Sequence, residues 1–465
     1  MNEVVFDADL IRRCDCSGPR YTSYPTAVQF TEAFDEPAYR AMAAQSNAAE
    51  KGQGAAPLSV YVHVPFCASP CFYCGCNRVI TRSHERAQEY LKRLYREIEL
   101  QAEMFSRDRT VEQLHFGGGT PTFLHTSELQ QLLEHLGRHF SLTTFADREY
   151  SIEIDPRTVD AEGIRALAAM GFNRMSLGVQ DFDPAVQAAV NRIQPEAETL
   201  RVVDAVRHAG IGSLSFDLIY GLPRQTLESF ERTLHSVVAA RPDRLAVYAY
   251  AHMPRMFKAQ RHIREDELPT PEQRLQLLGL TIATLSDEGY VYIGMDHFAL
   301  PGDELVRAKR ERSLQRNFQG YSTHAEHDLV GLGVSAIGKV GNSYAQNFKT
   351  LAEYYAAIDS GRLPIQRGVR LTHDDVIRRA VIQELMCHEL VDCAAIGRRF
   401  GIDFKRYFSR ELERLQELQA LGLTYVKSGC IGVTHPGRLL MRTVAMVFDA
   451  YLAPRMAGER FSKVI

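Results

Sequence analysis

Between residues 58 and about 297 the chain moves between two periodicities. Short stretches alternate apolar and polar residues with a period of two, and longer amphipathic stretches separate them. The short stretches predict strands at 58–64, 111–116, 149–155, 173–180, 212–219, 244–251 and 290–296. Helices are predicted at 84–104, 126–139, 195–209 and 226–240, among others. Strand–helix alternation predicts a parallel sheet with helices outside, wound by right-handed crossovers into a full or incomplete barrel. From Thr372 the texture turns helical, at 374–387, 395–400 and 403–420, with a hairpin at 422–434 and a helix from Gly437 to Leu452. The expected fold class is therefore α/β: a (βα) barrel with parallel strands, followed by a small, mostly helical, winged-helix-like domain.

The alternation itself is unusual. Parallel strands covered on both faces normally read as continuous apolar runs. Here Leu58, Val60, Val62 and Val64 share one face while Ser59, Tyr61 and His63 share the other. Ile152 and Ile154 oppose Ser151, Glu153 and Asp155; Met175, Leu177 and Val179 oppose Ser176, Gly178 and Gln180. Leu214, Phe216 and Leu218 oppose Ser213, Ser215 and Asp217, and Leu245, Val247 and Ala249 oppose Tyr248, Tyr250 and His252. The apolar faces belong under the helices. The polar faces then line a wet cavity, because a buried polar group without a partner costs about 1–3 kcal/mol. An open sheet with one solvated face is the competing arrangement, and helical crossovers disfavour it.

Three parts are expected: an arm over 1–56 with a helix at Glu36–Ala49, a catalytic barrel over 57–365, and a cover domain over 366–465. Gly52-Gln-Gly54 and Pro57 mark the entry to the first strand. Residues 300–365, with Gly331-Leu-Gly-Val-Ser-Ala336, read as an insertion closing one side of the cavity.

Composition narrows the class. At 465 residues, 45% hydrophobic and 24% charged, the chain is an ordinary globular one too long for a single core. A net charge of −3, with no concentrated basic face, gives no electrostatic field to recruit nucleic acid or membrane. The first ten residues are acidic, and no apolar run approaches the ~20 residues of a spanning helix. Nine cysteines without a regular framework fit a reducing cytoplasm. Cys14 and Cys16 read as free thiols, since a second pair is missing.

Four of the nine fall in Cys67-Ala-Ser-Pro-Cys71-Phe-Tyr-Cys74-Gly-Cys76, on the loop after the first strand. Such loops carry the chemistry of barrel enzymes. A disulfide pair conflicts with the compartment, and a structural zinc site normally draws its ligands from two separated pairs. An iron–sulfur cluster accepts the short spacing, each cysteine taking a different iron, and three ligands leave one iron of four open. Gly117-Gly-Gly-Thr-Pro-Thr122 also follows a strand; its glycines let a ligand approach the backbone, but it is not the dinucleotide fingerprint.

The C-x3-C-x2-C spacing after a strand resembles the radical S-adenosylmethionine (SAM) superfamily. Tyr61-Val-His-Val-Pro-Phe-Cys67 through Cys76-Asn77, with His115-Phe-Gly-Gly-Gly-Thr-Pro-Thr122, resembles more narrowly the oxygen-independent coproporphyrinogen III oxidase family. That likeness runs from Gly18-Pro-Arg-Tyr-Thr-Ser-Tyr-Pro-Thr26 to Phe461-Ser-Lys-Val-Ile465. It implies a radical SAM partial barrel with a [4Fe-4S] cluster on Cys67, Cys71 and Cys74, whose open iron chelates SAM. It further implies oxidative decarboxylation of two propionates of coproporphyrinogen III to vinyl groups, with two SAM consumed.

Matched by position, the first SAM would contact Tyr61, Tyr73, Gly118, Glu153 and Ile337. A second SAM would contact Gly119, Thr120, Gln180, Arg192, Asp217 and Ala251. His63 and Cys76 are further active-site candidates, and Arg20 and Arg192 are the candidate cations for substrate propionates. The likeness also implies an electron donor such as a flavodoxin or ferredoxin system, and a monomer. The alternative is a haem-binding chaperone of the same superfamily, which Cys76 and the Gly18–Thr26 segment argue against.

Overall fold

A computed structural model describes residues 4–49, 56–324 and 327–452. The Gly52–Gly54 boundary and the closing Phe461–Ile465 lie outside the described residues. Among the described residues, one sheet of thirteen strands organises the chain. Its strands run β1 (Leu58–Val64), β2 (Thr110–Gly118), β3 (Glu149–Ile154), β4 (Arg174–Gln180), β5 (Ser213–Tyr220), β6 (Arg244–Ala249), β7 (Val291–Gly294), β8 (His297–Ala299), β9 (Asp328–Leu332), β10 (Ile337–Val340), β11 (Ser343–Asn347) and β12 (Ile365–Arg370), with the short Ser141–Leu142 beside β2. Their order is β7-β8-β6-β5-β4-β3-β2-β1-β9-β10-β11-β12.

The run from β6 to β9 is parallel throughout. The two ends of the sheet do not pair, so the barrel is incomplete. The strand expected at 290–296 is not a further parallel strand. It forms an antiparallel hairpin, β7 with β8, and β8 pairs antiparallel with β6. Only a two-residue turn separates the two, and a parallel return needs a crossover of a dozen residues or more.

The segment read as an insertion contributes β9 to the parallel sheet, where it pairs with β1, and then β10–β12 as antiparallel strands beyond it. β9 has no polar face: Asp328-Leu-Val-Gly-Leu332 is buried along its whole length, so it lacks the alternation of its neighbours.

The apolar faces do what the pattern demands. Leu58, Val60, Val62 and Val64 are fully buried, as are Leu177, Leu214, Phe216 and Leu245. They pack under amphipathic helices. Helix His84–Ala102 buries Ala87, Tyr90, Leu91, Leu94 and Ile98, one stripe at three- and four-residue spacing. The β4 burial pattern alternates strictly, with Ser176, Gly178 and Gln180 half-buried toward the interior. The strand expected to reach residue 251 stops at Ala249. Tyr250 turns into a separate apolar cluster with Val186, Ile219, Leu222 and Ile263, and only Tyr248 keeps the inward face.

The C-terminal region carries helix His373–His388 and a three-stranded antiparallel sheet, Leu390–Asp392, Cys430–Val433 and Thr424–Lys427, flanked by helices Cys393–Phe400 and Ser409–Ala420. The helix expected over 437–452 is cut to Met441–Met446. Other partners take over the backbone beyond it: the Ala450 N–H donates to the distant Tyr24 Oη at 3.0 Å, and the Tyr451 N–H to the neighbouring Asp449 carboxylate at 2.8 Å.

Candidate functional site

The cysteine loop leaves β1 and is pinned from three sides. The Phe72 N–H donates to Val190 O at 2.9 Å, Asn191 donates to Pro70 O at 2.7 Å, and the Thr81 N–H donates to Cys67 O at 3.0 Å. Phe72 stacks on His262 with ring centroids 4.8 Å apart, and Gln260 donates to Tyr73 O at 2.9 Å. Arg78 folds back over the loop and donates to Cys74 O at 2.9 Å and Cys71 O at 3.2 Å. The loop is therefore held by its own surroundings, and its thiols open onto one cavity of about 260 Å³.

That cavity gathers Cys67, Cys71, Tyr73, Cys74 and Cys76 from the loop and Gly118, Gly119 and Thr120 from the end of β2. Glu153, Gln180 and Asp217 close it from the strands beyond, and Arg192 from the loop after helix Pro184–Ala189. Five expected residues lie outside it. Tyr61 and His63 sit just below, Ala251 follows the end of β6, and Ile337 packs in an apolar patch with Phe30 and Tyr344. Arg20 also lies elsewhere, ion-paired to Asp296 and 5.6 Å from the Tyr248 ring.

The glycine loop is short of side chains because there is no room for them. A Cβ on Gly118, whose φ is +117°, would stand 2.7 Å from the His63 ring. One on Gly119 would stand 2.7 Å from the Pro65 backbone. The loop thus packs directly against the end of β1, and that contact brings Thr120 Oγ1 within 3.4 Å of Cys67 Sγ.

The inner faces form one polar network. Tyr61 Oη meets His63 Nδ1 at 3.0 Å, and His63 Nε2 meets the Asn77 carbonyl at 2.9 Å. Tyr61 stacks on His115, with centroids 5.7 Å apart, and His115 bridges Ser151 (2.6 Å) and Glu153 (3.2 Å). Glu153 also accepts the Gly118 N–H at 3.2 Å. Its partners are thus a histidine and a backbone amide, not the arginine that a plain structural role predicts. Burial pushes the Glu153 carboxyl up, and its bond to His115 and the Gly118 N–H more than reverse this, holding it below the usual range. Asp217 has only Ser176 at 3.2 Å; burial and the charge of Glu153 push its carboxyl up to about 7. Burial lowers the His63 pKa, so its ring is neutral. Gln180 sits at φ +67°, beyond a register shift in β4 that turns its side chain into the cavity.

Arg192 is no surface residue. It is 6% exposed, pairs with Asp155 at 3.0 Å, donates to Gly178 O at 2.7 Å and lies 3.6 Å from Cys71 Sγ. Asp155 also holds Arg157, whose guanidinium lies 4.0 Å from the same sulfur. Arg157 and Arg78 were not singled out from sequence, nor was the pairing of Asp155 with Arg192. The available signal was their position, Arg78 four residues after Cys74 and Asp155-Pro-Arg157 at the end of a polar-faced strand. The Cys76 thiol and its N–H (3.4 Å), both directed at the Cys74 sulfur, hold the Cys74 thiol down to about 6. Burial pushes the Cys67 thiol up to about 11.

Three thiols on a rigid loop, ringed by Arg78, Arg157 and Arg192 and by backbone donors, suit thiolate ligation of an iron–sulfur cluster. The donor set fits the group. The remaining cavity has acceptors on the glycine loop and carboxylates on the inner faces, which is what an amino-acid nucleoside requires.

Residues 61–237 match the profile of the radical SAM superfamily, and residues 371–440 match the HemN C-terminal domain. An oxygen-independent coproporphyrinogen III oxidase from Pseudomonas aeruginosa is 50% identical over 468 residues, covering 100% of both chains. One from Escherichia coli is 46% identical over 465 residues, again covering 100% of both. The solved structure of coproporphyrinogen III oxidase (HemN) from Escherichia coli, described as a radical SAM enzyme, superposes with a TM-score of 0.91 at 45% identity, covering 97% of this chain and 100% of that one.

Proposed function

Because the chain belongs to the oxygen-independent coproporphyrinogen III oxidase family of the radical SAM superfamily, we propose the part each cavity residue takes in that family's reaction. The reaction is the oxidative decarboxylation of two propionates of coproporphyrinogen III to vinyl groups, giving protoporphyrinogen IX in haem biosynthesis. The family implies a [4Fe-4S] cluster and SAM. When bound, the cluster would supply the single electron for reductive cleavage of SAM, and each round would remove one hydrogen atom, one electron and CO2 from a propionate to leave a vinyl group.

On this reading Cys67, Cys71 and Cys74 hold the cluster, and Cys76 supplies a hydrogen bond to the Cys74 sulfur through its N–H. Tyr61, Tyr73, Gly118, Glu153 and Ile337 serve the first SAM. The glycine loop offers backbone acceptors to the SAM amino group, and Glu153, kept ionised by His115, accepts from ribose hydroxyls. Gly119, Thr120, Gln180, Arg192, Asp217 and Ala251 serve a second SAM in the same lumen. Arg192 is engaged by Asp155, so its part is to hold the Cys71 side of the loop and not to bind a propionate. Tyr61, His63 and His115 orient Glu153 and keep the lumen ordered. The electron arrives from a flavodoxin or ferredoxin system, and the chain works as a monomer in a reducing cytoplasm, divided into arm, barrel and cover. No helix among the described residues is long and apolar enough to cross a membrane.

The observation that carries this reading is the convergence of three thiols, the glycine loop and the inner-face carboxylates on one cavity. The deciding experiment is anaerobic incubation of reconstituted protein with reductant, SAM, an electron acceptor and coproporphyrinogen III. Expected are 5′-deoxyadenosine and protoporphyrinogen IX, with a tricarboxylate intermediate appearing transiently because the propionates react in sequence. A protein with an intact cluster that binds haem tightly and leaves coproporphyrinogen unchanged is the chaperone instead.

A further inference from the structure

The cluster cavity opens at the C-terminal ends of the strands. A second cavity, of about 110 Å³, lies at the other end of the lumen, between the start of β1, the strand Gln315–Asn317 and helix His373–His388 of the C-terminal domain. Ser59 lines it, on the same inward face of β1 as Tyr61 and His63, which sit below the cluster cavity. Five residues separate Ser59 from Val64, where the cysteine loop begins, a span of about 17 Å in an extended strand.

This second cavity is cationic. Arg316, Lys339, Arg379 and Arg399 line it, against one carboxylate, Glu384, which is already paired with Arg312 at 2.9 Å. Arg316 is 4% exposed. It donates through Nε to Arg20 O at 3.3 Å and lies 4.8 Å from the Tyr321 ring. Its Nη1 is buried without an acceptor, and no carboxylate among the described residues is within ion-pair distance. Arg379 repeats the pattern, its Nη1 buried and without an acceptor, and His388 Nδ1 on the same cavity is a third such atom. A buried donor left unpaired costs about 1–3 kcal/mol, and here two guanidinium groups lining one cavity each hold such a donor. The surplus charge is felt nearby: burial, Arg316 and Arg442 hold the Arg20 guanidinium down to about 10.

We propose that this cavity anchors substrate carboxylates, with Arg316 and Arg379 each accepting a propionate of coproporphyrinogen III that is not the one reacting. The proposal rests on the reading that coproporphyrinogen III is the substrate, and it gives the propionates a site of their own. Arg192 is ion-paired to Asp155 and Arg20 to Asp296, whereas neither Arg316 nor Arg379 has an ion-pair partner among the described residues. A fixed guanidinium presents a planar fork to a carboxylate. The space, about 110 Å³, suits carboxylate arms and not the macrocycle. One propionate is then presented at the cluster end while its siblings are held at the far end. Both anchors also tie the C-terminal domain to catalysis, Arg379 directly from its first helix.

The test is a fluorescence titration of anaerobically reconstituted full-length protein with coproporphyrin III, the oxidised tetracarboxylate, and with its tetramethyl ester. The wild type is expected to prefer the acid. Arg316→Gln and Arg379→Gln should each weaken acid binding roughly tenfold or more, the scale of a lost charged hydrogen bond, and leave ester binding, iron content and SAM binding unchanged. Arg316→Lys should recover part of the loss. In turnover the loss should appear in KM for coproporphyrinogen III. Variants that keep the wild-type preference for acid over ester, or a wild type without that preference, overturn the proposal. If Arg316→Gln fails to assemble the cluster, Arg379→Gln, half-buried on a helix, decides alone. A wild type that binds the acid through these arginines yet does not convert coproporphyrinogen overturns the substrate reading and not the anion site.

Discussion

Neighbouring side chains in the cluster cavity are sorted by what donates to them. Glu153 and Asp217 line the same inner face, yet Glu153 has His115 and a backbone N–H while Asp217 has one serine. The folded-state carboxyl of Asp217, at about 7, stands above its ordinary value of ~3.9. Protonated Asp217 is therefore favoured by folding. Its contribution to stability is full below about pH 4 and is lost as pH rises through about 7. Asp217→Asn, which resembles the protonated form, should gain stability relative to wild type between pH 5 and pH 8.5, read as a growing difference in Tm; a constant difference would show the group to be solvated.

The cysteines divide in the same way. Cys67, Cys71 and Cys74→Ala should each abolish the cluster. Cys76→Ser should retain about four irons per chain, the content of a cubane, because serine keeps the N–H that donates to Cys74 Sγ and puts a hydroxyl donor where the thiol was. Anaerobic iron analysis separates the two outcomes. The C-x3-C-x2-C spacing made the three residues legible from sequence. The Arg192–Asp155 pair was not, because nothing in local spacing tells a buried arginine from a surface one.

At the level of elements, the glycine loop after β2 and the end of β1 are one packed unit. Gly119→Ala puts a methyl 2.7 Å from the Pro65 backbone, which has no rotamer with which to give way. A loss of about 1–3 kcal/mol is expected from overpacking, together with poorer cluster assembly, since Thr120 and Cys67 meet across that contact. Gly137→Ala is the contrasting case. It lies inside helix Thr126–His139 with its nearest neighbour, Leu142 Cδ1, at 3.6 Å, so alanine should stabilise by about 0.5–1 kcal/mol. Urea unfolding of both variants measures the contrast. β1 to β6 were legible because their alternation exceeds any competing pattern. β9 was hidden because a strand buried along its whole length has no period to read.

Across the whole molecule, the arm, the barrel and β9 are joined by one buried ion pair. Arg109, 1% exposed, reaches Asp328 at 3.0 Å, Ala56 O at 2.8 Å and Asn47 Oδ1 at 3.2 Å. It thereby links helix Glu36–Ala49 to β2 and β9. Arg109→Ala leaves Asp328 buried without this partner and should cost about 3–5 kcal/mol. Unfolding monitored by both far-UV signal and cluster absorbance tests whether the loss is global; a variant within 1 kcal/mol of wild type, a margin well below that range, would mean that water replaces the pair.

What the sequence determined by itself was local in origin. Period-two alternation specified the strands and their polar faces, cysteine spacing specified the metal-binding class, and the interleaved helices specified a parallel, helix-covered sheet. Tertiary structure decided everything that depends on residues distant in the chain. It set the antiparallel ends that leave the barrel open and cut the last helix short at Tyr24. It drew Asp155 onto Arg192, and it brought Arg316 and Arg379, 63 positions apart, to one cavity with no carboxylate among the described residues paired to either. The reason is physical: periodicity records which way a side chain points from its own backbone, while an ion pair or an unmet donor is set by what the fold places opposite it.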